Sequence, residues 1–74
     1  MKNNKNKEAK AYITKFQLGE KVMIDKNLYG TIDEIQISPN EWLGYNIMYH
    51  VFWFNDHVKN SAWFYGNFLK KIDE

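Results

Sequence analysis

The chain has 74 residues, with ten lysines, no arginine, nine acidic residues and no cysteine. Its length allows one small core rather than two, and the lack of cysteine excludes a disulfide staple, a thiolate nucleophile and any cysteine-based zinc or iron–sulfur site. Apolar runs such as Val51-Phe52-Trp53-Phe54 are far shorter than the ~20 residues of a membrane-spanning helix, so no membrane span is expected.

The net charge of +1 conceals a segregation along the chain. Residues 1–15 hold five lysines against Glu8, a net of +4, whereas the remainder holds five lysines against eight acids, a net of −3. Residues 1–11 are mostly Lys and Asn and offer little to bury, so residues 1–15 are expected to form a flexible, disordered lysine-rich tail. Such a tail serves either as a solubilising leader or as an electrostatic arm. No apolar segment follows Met1-Lys2-Asn3-Asn4-Lys5, so no secretory signal is visible and a cytoplasmic location is expected. Heavy use of Lys, Asn and Ile without Arg suggests an A/T-rich coding sequence, as in a low-GC bacterium or its phages.

From Phe16 onward the pattern changes to short alternating runs, and residues 16–74 read as one β domain. Lys21–Asp25 predicts a first strand with Val22 and Ile24 on one face. Asn27-Leu28-Tyr29-Gly30 follows as a loop in which the glycine can take a positive φ. Thr31–Ser38 predicts a second strand whose apolar phase slips between Ile32 and the pair Ile35 and Ile37; a β-bulge near Asp33-Glu34 restores it. Ser38-Pro39-Asn40-Glu41 is a turn signal. The third strand spans Gly44 to Phe54, with Tyr45, Ile47, Tyr49, Val51 and Trp53 on the core face and Asn46, Met48, His50, Phe52 and Phe54 opposite. Asn55-Asp56-His57 reads as a tight connection, Lys59–Tyr65 as the fourth strand, and Gly66 to Ile72 as a short turn followed by a closing edge strand.

The order of Phe16-x-Leu18-Gly19-Glu20-x-Val22, Gly30-Thr31-Ile32, Tyr49-x-Val51-x-Trp53 and Trp63-Phe64-x-x-x-Phe68-Leu69 resembles the skeleton of Src-homology-3-like barrels of the Tudor and KOW kind, over Phe16 to Ile72. The resemblance implies an all-β fold, a five-stranded partly open barrel, and no reaction. Barrels of this kind bind peptides, modified side chains, nucleic acids or larger assemblies, so function rests on surface residues. A KOW-type RNA binder is expected to carry a basic face, whereas this body is net acidic. A Tudor-type cage needs several aromatics converging on one opening with an acid nearby.

No catalytic or metal constellation is visible. His50 and His57, the latter beside Asp56, lack the further ligands or positioned base that such chemistry needs. Phe52 and Phe54 stand on the strand face where polar residues are usual, which marks either a contact surface for another protein or for self-association, or rings covered within the molecule, because the bent strand contributes to both halves of the barrel or because Phe68-Leu69 and Tyr12-Ile13 fold over them. Tyr29, Trp42, Trp63 and Tyr65 form a second aromatic set at loops and strand ends. Trp63 and Phe64 are adjacent and point to opposite faces, which leaves open which of them is core. The expected function is a non-catalytic interaction module, not an enzyme and without a cofactor, that binds a protein partner through Phe52, Phe54, Tyr29, Trp42, Trp63 and Tyr65 as a monomer or weak homodimer. The alternative is weak nucleic-acid binding, with barrel aromatics stacking and tail lysines neutralising phosphate; the absence of arginine forks weighs against it.

Overall fold

The computed structural model describes residues 13–42 and 44–72. The lysine-rich segment up to Tyr12, where tail disorder was expected, lies outside the described residues.

Five antiparallel strands, β1 (Lys21–Asp25), β2 (Leu28–Asn40), β3 (Gly44–Asn55), β4 (Val58–Tyr65) and β5 (Lys70–Lys71), form one sheet in the order β4-β3-β2-β1-β5. A 3₁₀ turn over Gly66–Phe68 carries the chain from β4 back to the far side of β1. The sheet is open: β4 and β5 are its two edges and do not pair with each other. The all-β fold of five strands is as expected, but the sheet stays open where a partly open barrel was expected. The two-residue β5 pairs only with Val22 and Met23, too short a ladder to bridge back to β4.

One face of this sheet is the core. Val22, Ile32, Tyr49 and Val51 are buried on it, and Phe16 and Leu69, from the segments that precede β1 and β5, complete the buried set. Ile24, Ile35, Ile47, Trp53 and Phe64 pack around them. The alternation expected in β3 thus holds, with Tyr49 and Val51 at its centre and Tyr45 emerging into solvent at its start.

The expected bulge is present. Ile32 faces Val51 and Glu34 faces His50, so Asp33 is the extra residue of β2. It lets Ile32, Ile35 and Ile37 all fall on the core side, where the last two oppose Tyr49 and Ile47.

Three local readings are corrected. The residue with positive φ in the first hairpin is Asn27 (φ 63°), not Gly30, which lies inside β2 opposite Val22. Gly30 is required for space: a Cβ there would stand 2.5 Å from Val51 Cγ1 and 2.8 Å from the Phe52 carbonyl oxygen. Pro39 belongs to β2, opposite Tyr45, and the turn falls after Asn40. Proline is tolerated there because β1 pairs only as far along β2 as Thr31, leaving the distal part of β2 with one free edge. Strand β2 accordingly extends over Leu28–Asn40 rather than Thr31–Ser38.

Candidate functional site

The opposite, outer face of the sheet carries most of the aromatics singled out above. The β3–β4 hairpin fixes their positions. Its two-residue loop, Asp56-His57, has φ of 52° and 67°, the left-handed pair of a type I′ turn, whose twist matches that of the strands it joins. From Asn55 opposite Val58, the ladder runs without interruption to Met48 opposite Tyr65. Trp63 therefore sits opposite His50 and shares its face, while Phe64 sits opposite Tyr49 and turns to the core. That decides between the two.

The register lays the outer face out in rows. Lys21, Thr31, Phe52 and Ser61 form one row across four strands. Glu34, His50 and Trp63 form the next, and Gln36, Met48 and Tyr65 another. Exposure on this face is high for apolar groups: 63% for Phe54, 47% for Tyr65, 44% for Tyr29 and 39% for Trp63. The covering suggested for Phe52 and Phe54 by the closing segment is not made, since Leu69 is buried in the core and Phe68 is exposed. Ile13 is exposed as well, and Tyr12 lies outside the described residues.

Two clusters occupy the face. In the first, Phe52 and Phe54 meet edge to face at 6.2 Å, and the Lys59 ammonium stands 4.7 Å from the centre of the Phe52 ring. Tyr29, Lys21 and Thr31 border the same rings around a shallow cleft of about 300 Å³. In the second, the His50 ring lies 5.0 Å from that of Trp63, and His50 Nδ1 is 2.6 Å from Asp33 Oδ1. The bulge places that carboxylate there, because Asp33 and Glu34 together oppose His50. The sequence reading did not pair His50 with Trp63 or Asp33. Counting equal steps back from a two-residue Asp56-His57 turn supplies the first contact, and assigning the bulge to Asp33 supplies the second.

Trp42 stands apart. It lies in the β2–β3 loop, 88% exposed, with its backbone N–H donated to Asn40 Oδ1 at 2.7 Å. Phe52 is eight residue steps along β3 from the loop end at Gly44, a span of about 27 Å at strand rise. The structure thus brings together Tyr29, Phe52, Phe54, Trp63 and Tyr65 on one face and leaves Trp42 at the hairpin tip. Another cleft of about 360 Å³, lined by Met23, Asp25, Lys26, Phe68 and Lys70, touches none of these.

Among the described residues no group of three His, Asp or Glu is arranged to hold a metal ion, and no helix is long and apolar enough to cross a membrane. No protein-family model matches the chain, and no curated protein or solved structure matches it.

Proposed function

We propose that this chain is a non-catalytic interaction module that binds a protein partner through the outer face of its sheet. The observation that carries this reading is the gathering of Tyr29, Phe52, Phe54, Trp63 and Tyr65 on the face opposite the core. Four of the five are exposed by more than a third. Large rings left in water on a sheet whose other face already holds the core are the kind of surface that interfaces use as anchors. The His50 and Asp33 side chains meet on an open sheet surface rather than in a cleft that could exclude water, which favours a binding role over catalysis. At the finer level of fold, strand order β4-β3-β2-β1-β5 with a 3₁₀ turn before β5 supports the Src-homology-3-like skeleton, here in an unclosed form. Heavy use of Lys, Asn and Ile without Arg supports an origin in a low-GC bacterium or its phages.

A second reading, weak nucleic-acid binding, draws on Lys21 and Lys59 beside the Phe52–Phe54 cleft. Stacked bases and neutralised phosphates would use the same rings.

The test replaces Phe52 by Thr and Phe54 by Ser. The double variant is expected to keep its fold, since both changes suit a solvated strand face, and to lose affinity for the captured host partner by about thirtyfold, or ~2 kcal/mol. A protein partner should remain bound as salt is raised, whereas binding that collapses with salt would move the assignment to nucleic acid. Unchanged affinity in the folded double variant would remove the outer face from the function.

A further inference from the structure

Among the described residues nothing covers the outer face, and nothing pairs with the free edge of β4, whose chemistry is self-complementary. Ile32 donates its N–H to the Glu20 carbonyl at 3.0 Å and accepts the Gly19 N–H at 2.7 Å, so both of its backbone groups point toward β1. Val51, opposite Ile32, therefore turns its own backbone groups toward Ala62 of β4. Alternation along β4 then directs the N–H and C=O of Lys59, Ser61, Trp63 and Tyr65 to the open edge. Proteins usually blunt such an edge with proline, a bulge or several charges. Strand β4 has no proline, its register with β3 is uninterrupted, and Lys59 is its one charged residue.

We infer that β4 pairs antiparallel with β4 of a second copy of this chain, about a two-fold axis through Ser61. Residues facing each other across an antiparallel pair share a face, so a strand can pair with itself only about a residue that opposes its own copy. With Ser61 on the axis, Lys59 faces Trp63 of the second copy on the outer side, an ammonium against an indole ring, and it does so twice by symmetry. On the inner side Val58, 60% exposed in the single chain, faces Phe64 of the second copy, and Asn60 faces Ala62. The large apolar residues of the strand from Val58 to Phe64, namely Val58, Trp63 and Phe64, then each meet an apolar or cationic partner, and no like charges are opposed. Pairing β4 head to tail with β5 instead would use a strand of only two residues. A ladder of seven residues from each copy, 58 to 64, is expected to bury less than the ~1,200 Å² of a stable standard interface, so the dimer exchanges with monomer as concentration falls.

Sedimentation of the full chain across concentration tests this. The wild type is expected to show a monomer–dimer equilibrium. Ser61→Pro removes an N–H that points to the open edge and leaves the β3–β4 ladder intact, and it is expected to abolish the dimer. Should that variant fail to fold by circular dichroism, Ser61→Lys carries the same test, because it sets two ammonium groups against each other on the axis. In a chain free of other cysteines, Ser61→Cys is expected to be linked into a covalent dimer by a short bismaleimide, and Lys26→Cys, at the first hairpin turn, is not. A wild type that stays monomeric throughout overturns the inference and leaves the edge to a strand from another protein. A dimer that survives Ser61→Lys, or equal linking at both cysteine positions, overturns it as well.

Discussion

The Tyr49 hydroxyl accepts the backbone N–H of Lys15 at 3.0 Å, across 34 residues of sequence, and that of Phe16 at 3.4 Å. The Phe16 ring meets the Tyr49 ring edge-on at 5.2 Å. One side chain of β3 therefore both packs against the segment before β1 and satisfies its polar backbone. Tyr49→Phe keeps the packing and strands two donors, so it is expected to cost about 1–2 kcal/mol. For a domain of this size, that lowers the thermal midpoint by about 4–8 °C per kcal/mol. Faster amide exchange confined to Lys15 and Phe16 is the accompanying signature; an unchanged midpoint would mean that water replaces the hydroxyl at no cost.

Of the four glycines, Gly30 leaves the least room for a side chain. Gly30→Ala puts a methyl group within 3.0 Å of Val51, the Phe52 carbonyl and Ile24, and two of those contacts belong to side chains that are themselves packed in or against the core. A loss of about 1–3 kcal/mol is expected by chemical denaturation, the usual range for overpacking. A neutral outcome would show that β1 and β3 can separate at this point.

Val51 is fully buried at the centre of β3. Val51→Asp introduces a carboxylate with no cation among its core neighbours Phe16, Val22, Ile32, Tyr49 and Leu69, and it is expected to unfold the domain. Loss of the far-ultraviolet β signal at neutral pH is the readout. A folded variant would overturn the assignment of the inner face.

Much of this architecture is written in period-two patterns that survive without tertiary information. Val22 with Ile24, and Tyr49 with Val51 and Trp53, declare their face because a strand must send alternate residues to the same side. The slip between Ile32 and Ile35 declares the bulge for the same reason. Less legible is anything that depends on how strands meet. Glycine at position 30 reads equally as a turn residue or as a gap for a neighbour, and only Val51 and Ile24 distinguish the two. The pairing of His50 with Trp63 depends on the register of β4, and hence on where a two-residue turn begins. The open edge between β4 and β5 depends on the length of β5, where the motif Phe68-Leu69-Lys70-Lys71 carries no periodic signal.

The Asp56-His57 turn offers a gain in stability. Both residues hold left-handed φ, a conformation that aspartate tolerates and glycine adopts at no steric cost. His57→Gly, giving the Asp-Gly pair favoured in such hairpins, is expected to stabilise the domain by about 0.5–1 kcal/mol. Thermal melting of the variant should show a higher midpoint. A lower one would indicate that the imidazole makes a contact which outweighs the backbone strain.

The extra residue at Asp33 gives β2 a parity as well as a shape. Upstream of it the inward positions are even-numbered, as at Ile32; downstream they are odd-numbered, as at Ile35 and Ile37. Deleting Asp33 itself would restore a regular ladder and keep both downstream isoleucines inward, because Ile32, Glu34 and Ile35 already face the consecutive residues Val51, His50 and Tyr49; deleting a residue further along, such as Gln36, would send Ile37 to the outer side. The loop between Asn40 and Gly44 is different, because it lies beyond the last paired residues and can gain or lose a residue without changing which side any strand residue faces. Substitutions and length changes are thus unlike hazards for this chain. A conservative replacement in β2 touches one contact, whereas a single-codon deletion in the regular stretch after the bulge, at Gln36 for example, exchanges inside for outside along the rest of the strand.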